Sequence, residues 1–159
     1  MDFPIRRVVT GHDKNGKAIV MIDEISKQVS ARRPGATGAV VWTTKGFPVN
    51  NDGAEDEATR DVGTFLTGGT VFRVLKLDPG STPRMHRTDS IDYAVIMSGE
   101  CDMELEPGNF VHFKQGDVLV QRGTIHNWIN NGKEPCIIAF ILIDAKPVEV
   151  GGKRLEAQG

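Results

Sequence analysis

An all-β sandwich or barrel is the fold class this sequence predicts, and three observations carry the prediction. Short runs rich in Val, Ile, Thr and Phe recur along the 159 residues, punctuated by 18 glycines and 8 prolines. No segment sustains a 3.6-residue apolar period, so helices should be few and short. Apolar residues make up 39% of the chain and charged residues 25%, a balance that supports one buried core, and the length suits a single domain over 1–159.

From the N-terminus, strands are expected near Arg6–Thr10 and Ala18–Ile22. The intervening GHDKNG offers Asn15-Gly16 as the φ > 0 pair of a tight hairpin, and His12, placed in that turn, reads as structural or solvated. Residues 24–37 (EISKQVSARRPGAT) are polar and aperiodic and read as a loop before a strand near Ala39–Thr44. Residues 45–69 (KGFPVNNDGAEDEATRDVGTFLTGG) are aperiodic too, and long for a loop in a compact domain. Three roles stay open for them: an active-site cover, an interface arm around a partner subunit, or a disordered excursion. Phe47, Phe65 and Leu66 offer anchors. Further strands are expected near Val71–Leu77, Ile91–Met97, Cys101–Leu105, Phe110–Lys114, Val118–Gln121, Asn127–Ile129 and Ile137–Ile143, with EPGN (106–109) as a turn. Strands with long loops thus occupy 1–70, the central strands 80–130, and a last strand 136–143.

Several function classes fall away. A net charge of −2 advertises neither nucleic acid nor an anionic membrane as a partner. No apolar run approaches the roughly 18 residues of a spanning helix, and MDFPIRRVVTGHD lacks the apolar core of a signal peptide. The two cysteines, Cys101 and Cys136, have no CxxC spacing; a disulfide scaffold is not expected and a cytoplasmic location is. There is no nucleophile elbow, phosphate-cradling glycine loop or zinc-finger spacing.

Chemistry concentrates between Gly80 and Asn130. The stretch PRMHRTDSIDY puts His86, Thr88 and Asp92 at even spacing, hence on one face of a strand. Alone, that spacing describes an ordinary polar strand as well as half of a metal site. Its context is more specific: GSTPRMHRTDSIDYAVIMSG runs from Gly80 through His86, Thr88 and Asp92 to Gly99, and GDVLVQRGTIHNWIN carries Gly116, Gly123, His126 and Asn130. The two blocks resemble the paired motifs of the cupin superfamily, G-x5-H-x-H-x3,4-E-x6-G and G-x5-PxG-x2-H-x3-N, in which the loop before the proline varies by one residue and is one shorter here. This sequence departs from them in three places: Thr88 replaces the second histidine, Asp92 the glutamate and Gln121 the proline.

The resemblance implies a single-domain jelly-roll β-barrel of two antiparallel sheets with chemistry inside it, and a homodimer built by the N-terminal strands. Position by position it implies His86, Asp92 and His126 as ligands of a divalent metal (Fe, Zn, Mn or Ni), with Thr88 a weak hydroxyl or a vacancy open to substrate. The shorter Asp92 leaves two readings, a ligand or a partner for a histidine's second nitrogen. Arg84 shares the parity of His86 and suits a carboxylate or enolate at the barrel mouth; a surface arginine is its other reading. Trp128 shares the parity of His126 and is either an apolar wall for substrate or core packing. His112 falls outside both blocks and reads as structural.

The function expected is therefore a metal-dependent lyase, most simply a decarboxylase of a β-keto or phenolic acid, with Arg84 and Asp92 as catalytic groups and Thr88, Arg84 and Trp128 against substrate. A non-haem Fe(II) oxygenase is the first rival, because two histidines and a carboxylate suit that ion. A non-catalytic binding protein that has lost its metal is the second.

Overall fold

The computed structural model describes residues 3–159, the side chain of Arg32 excepted. Its strands are β1 (Arg6–His12), β2 (Ala18–Ile25), β3 (Val29–Arg33), β4 (Ala36–Lys45), β5 (Gly69–Leu77), β6 (Ser90–Ser98), β7 (Glu100–Glu104), β8 (Phe110–Lys114), β9 (Val118–Arg122), β10 (Asn127–Ile129), β11 (Cys136–Asp144), β12 (Val148–Val150) and β13 (Lys153–Leu155). The one helical element among the described residues is a 3-10 turn, Glu57–Thr59, capped by the Asp56 side chain. An antiparallel sheet in the order β3-β4-β5-β11-β6-β9 faces a three-stranded sheet, β10-β7-β8, while β1-β2 and β12-β13 are separate hairpins. Two antiparallel sheets closed over one core are the expected jelly-roll barrel.

Alternation of side chains makes the interior. On β6, Asp92, Ala94 and Ile96 are buried while Tyr93, Val95 and Met97 face out, and β11 buries Cys136, Ile138, Phe140 and Leu142. Opposite them, Cys101 and Met103 of β7, Phe113 of β8 and Trp128 of β10 complete the core. Both cysteines are buried free thiols. Gly99 makes the β6–β7 turn at φ 74°, and a Cβ there would stand 2.5 Å from the Pro135 carbonyl oxygen.

Four expectations need correction. Residues 24–37 are not a loop: β3 pairs with β4 through Val29↔Ala39 and Ser30↔Gly38, and cross-strand partners replaced the periodicity the segment lacks. The first hairpin is not an Asn15-Gly16 pair at positive φ, because Gly16 alone adopts it. Instead Asp13 closes a wider turn, donating its N–H to Lys17 and accepting from Gly16 and, through Oδ1, from Asn15 and Lys17. His12 is the last residue of β1, paired with Ala18, and not in the turn. Phe47 is no anchor, being 95% exposed; Phe65 and Leu66 do pack against the core. The short β12-β13 hairpin was not anticipated.

The long segment 45–69 is tied down at several points. Arg7, its guanidinium buried, bridges Glu24 of β2 (2.7 Å) and Asp56, and the Thr43 hydroxyl donates to the Glu57 carbonyl at 2.6 Å. Farther along, Gly63 and Thr64 reach the barrel mouth, the first sign that the segment serves the interior cavity.

Candidate functional site

Inside the barrel lies a cavity of about 430 Å³. Its apolar wall comes from Leu75, Phe140, Leu142 and Trp128; its polar groups are His86, His126, Asp92 and the guanidiniums of Arg33, Arg73 and Arg84. An apolar chamber with a few convergent polar groups is what a small-molecule site requires.

The histidines form its centre. His86 and His126 pair as antiparallel neighbours, each N–H donating to the other's carbonyl at 2.9 Å, which brings the imidazoles together with centroids 4.1 Å apart and planes tilted by 52°. Each Nδ1 also lies 3.0 Å from the carbonyl two residues earlier, Arg84 for His86 and Thr124 for His126. A carbonyl only accepts, so both Nδ1 atoms carry the hydrogen and both Nε2 atoms keep a lone pair. Burial pushes the His86 pKa down, and burial with the neighbouring His86 pushes His126 down to about 4. Both rings are neutral acceptors at pH 7.

Asp92 is buried on β6, opposite Leu142 on one side and Gln121 on the other. Its Oδ1 accepts from Ser90 Oγ at 2.6 Å, and Ser90 Oγ lies 2.8 Å from the Thr88 hydroxyl. Burial raises the Asp92 pKa against the opposing effects of Ser90 and the Arg73 charge. Cross-strand partners share a face with Cβ atoms roughly 5 Å apart, and Gln121 Oε1 is a buried acceptor with no hydrogen-bond partner.

Arg84 sends its guanidinium to the cavity, with Nη2 2.6 Å from the Gly159 carbonyl oxygen and 3.4 Å from Thr64 Oγ1. Its backbone N–H is held by the Asn127 side chain at 2.8 Å. Trp128 is both wall and core, edge-on to His126 (centroids 6.4 Å, 81°) and to Phe140 (5.5 Å, 77°). Thr88 does not line the cavity: it is buried with its hydroxyl engaged by Ser90, so the position read as open to substrate is turned into the strand's own hydrogen-bond chain. His112 is exposed beside Asp102. Asn130, 1% exposed, donates to the Leu77 and Glu134 carbonyls and accepts from the Gly132 N–H, so this motif residue braces a turn.

Among the described residues, no three His, Cys, Asp or Glu side chains stand close enough to share a metal ion. The set His86, Asp92, His126 therefore contributes two converging imidazoles and a carboxyl committed to Ser90. Two nitrogens leave half of a tetrahedral shell and more of an octahedral one unfilled, and these donors do not fit a resident ion.

Two cavity groups escaped the sequence reading. Arg73 lies on β5 among inward-facing Val71, Leu75 and Leu77, and a charged residue in that alternation was the available signal. Arg33 fell in the stretch taken for a loop.

Two facing antiparallel sheets around a small-molecule chamber with paired histidines define the class as a jelly-roll barrel of the double-stranded β-helix kind. The cupin domain family pattern matches residues 73–143. Phomopsin biosynthesis cluster protein D of Diaporthe leptostromiformis is 37% identical over 159 residues, covering 94% of this chain and 83% of that protein. The cupin-domain-containing oxidoreductase fogC of Aspergillus ruber is 33% identical over 157 residues, covering 94% and 77%. In fold, the cupin domain of Schizosaccharomyces pombe Cnp3 superposes with a TM-score of 0.56 at 13% identity, covering 89% of each chain. The chain belongs to the cupin superfamily.

Proposed function

We propose that this cupin is a biosynthetic enzyme, a lyase that removes CO₂ from a β-keto or phenolic carboxylic acid by electrostatic and acid–base catalysis. One observation carries the reading: guanidinium, neutral imidazole and a carboxyl raised in pKa share one apolar cavity of about 430 Å³. The relative from a phomopsin biosynthesis cluster supports a role in making a small molecule.

In this reading Arg84 receives the substrate anion at the mouth. As the carbon–carbon bond to the carboxylate breaks, its electron pair moves into the neighbouring carbonyl and CO₂ leaves. The enolate oxygen so formed is stabilised by guanidinium beside the apolar wall of the cavity. Asp92, held toward its protonated form by burial, gives its proton to the carbanion carbon, and water restores it afterwards. The Nε2 atoms of His86 and His126 accept a substrate hydroxyl and fix its orientation; Trp128 and Phe140 take the ring or acyl body. No step passes through a metal.

The test uses benzoylacetate as probe, with acetophenone and CO₂ as products. Asp92→Asn is expected to slow turnover by about two decades or more, the usual worth of a positioned acid. Arg84→Met is expected to slow it by roughly one and a half to three and a half decades, from about 2–5 kcal/mol for a lost buried charge partner. Turnover unchanged in Asp92→Asn would refute the mechanism. A second reading, oxygenation, is favoured by the oxidoreductase name of the Aspergillus ruber relative. Oxygen uptake by iron-loaded protein, without CO₂ release, would select it.

A further inference from the structure

Gly38 stands in the middle of β4, on the face that lines the cavity. In register it lies between Ser30 of β3 and Leu75 of β5, which line the same cavity. Neighbouring strands run about 4.8 Å apart, so a wall position without a side chain opens a notch roughly 10 Å wide between Ser30 and Leu75. Glycine inside a strand weakens it, through lost backbone entropy and an absent packing partner. Such a residue is ordinarily explained by its backbone angles or by a close neighbour. Gly38 has neither reason. Its φ is not positive, and among the described residues a Cβ built on it would meet nothing nearer than the Ser30 carbonyl oxygen at 4.0 Å. The other strand glycines differ: a Cβ on Gly11 would run into Met21 Sδ, and one on Gly69 into the Thr44 carbonyl.

The missing side chain therefore serves the space beside it rather than the strand. A cavity of about 430 Å³ falls in the range that houses a drug-sized ligand, well beyond a single ring. We infer that Gly38 sets the size of the ligand: the apolar body of the substrate packs against the bare backbone there, and the class selected carries a fused-ring or comparably broad body beside its carboxylate. This rests on the proposed reading of the cavity as a substrate site and adds to it a specificity-determining position that no polar motif marks. Leu75, Phe140 and Trp128 supply apolar surface for the same body. A single ring leaves the notch empty; a fused pair reaches it.

The test is calorimetry on the full chain with benzoate and 2-naphthoate, two acids that the proposed chemistry does not consume, with thermal unfolding of the same samples. The naphthoate is expected to bind the native protein roughly tenfold tighter or more, the worth of its further ring carbons taken out of water. Gly38→Val and Gly38→Phe are expected to remove that preference in steps. They should lower naphthoate binding by roughly tenfold and a hundredfold, while benzoate changes by less than about threefold. Neither variant should melt lower than the native protein, because valine and phenylalanine suit a strand and the notch has room for them. A naphthoate preference that survives Gly38→Phe overturns the inference alone, as do equal binding of the two acids by the native protein and a parallel loss of both in the variants. A Tm clearly lowered by Gly38→Val would give the glycine a structural reason and overturn it too. Binding of neither acid overturns the inference together with the reading of the cavity as an anion site.

Discussion

Acidification should destabilise this protein through His126 well before its carboxylates are neutralised. His126 is 3% exposed, and burial with the adjacent His86 brings its folded pKa to about 4. An unfolded histidine titrates near 6.5. Between those values the unfolded chain binds a proton that the folded chain refuses, so stability falls as pH falls from 6.5 toward 4. At pH 5 the linkage relation gives a loss of about 2 kcal/mol relative to pH 7.5 from this one group. For a chain of this length that is roughly 4–8 °C in Tm. His86, also shifted down, adds in the same sense. Asp92, shifted up, works the other way, taking its proton first in the folded state. Asp23, Glu24 and Asp56, all shifted down by ion pairing, lose their contribution only as pH enters the ordinary carboxylate range. The assay is thermal unfolding at pH 7.5 and 5.0 for the native protein and His126→Gln, which keeps a polar side chain that does not titrate. The native Tm should drop more than the variant's by roughly 4–8 °C, whatever the variant's own starting stability. Parallel profiles would refute the assignment of a buried, neutral His126.

Three further outcomes are expected. Asn130→Ala removes the partner of the buried Leu77 carbonyl and of the half-buried Glu134 carbonyl and Gly132 N–H and should cost about 2–3 kcal/mol in urea unfolding; a change within a few tenths would mean the turn holds itself. Equilibrium dialysis against zinc should leave no stoichiometric ion that survives a chelator, because only two imidazoles converge; one retained ion per chain would refute this. The homodimer proposed through the N-terminal strands would seat on the outward Val8, Val20 and Ile25 of the first hairpin, all about half exposed. Val20→Asp should then lower the sedimenting mass to that of one chain, and a native protein already sedimenting as one chain would remove the proposal.

Most of the barrel was legible because its strands alternate. Wherever one face is buried and the other wet, as on β6 and β11, the period of two survives in the sequence and locates the strand to within a residue or two. β3 lacks that signature: Ser30 and Arg33 face the cavity, so its interior-facing positions are polar and its outward Val29 is exposed. A strand that lines a ligand chamber loses the pattern by which core strands are recognised. The site shows the same division. His86, His126, Asp92, Arg84 and Trp128 fell on the cavity because local spacing sets strand parity. Thr88 shares that parity and still missed the wall, since its hydroxyl found a nearer partner in Ser90. Parity says which face a side chain takes; it does not say which neighbour captures it. The metal expectation failed to assemble because, among the described residues, no third His, Cys, Asp or Glu side chain stands close enough to His86 and His126. Arg73, read as one more residue of an apolar strand, is the opposite case. Its cost is visible in the sequence, a charge among inward-facing valine and leucines, and only the fold shows where it goes: Nη2 donates to the Gly63 carbonyl at 2.7 Å and the side chain lines the cavity.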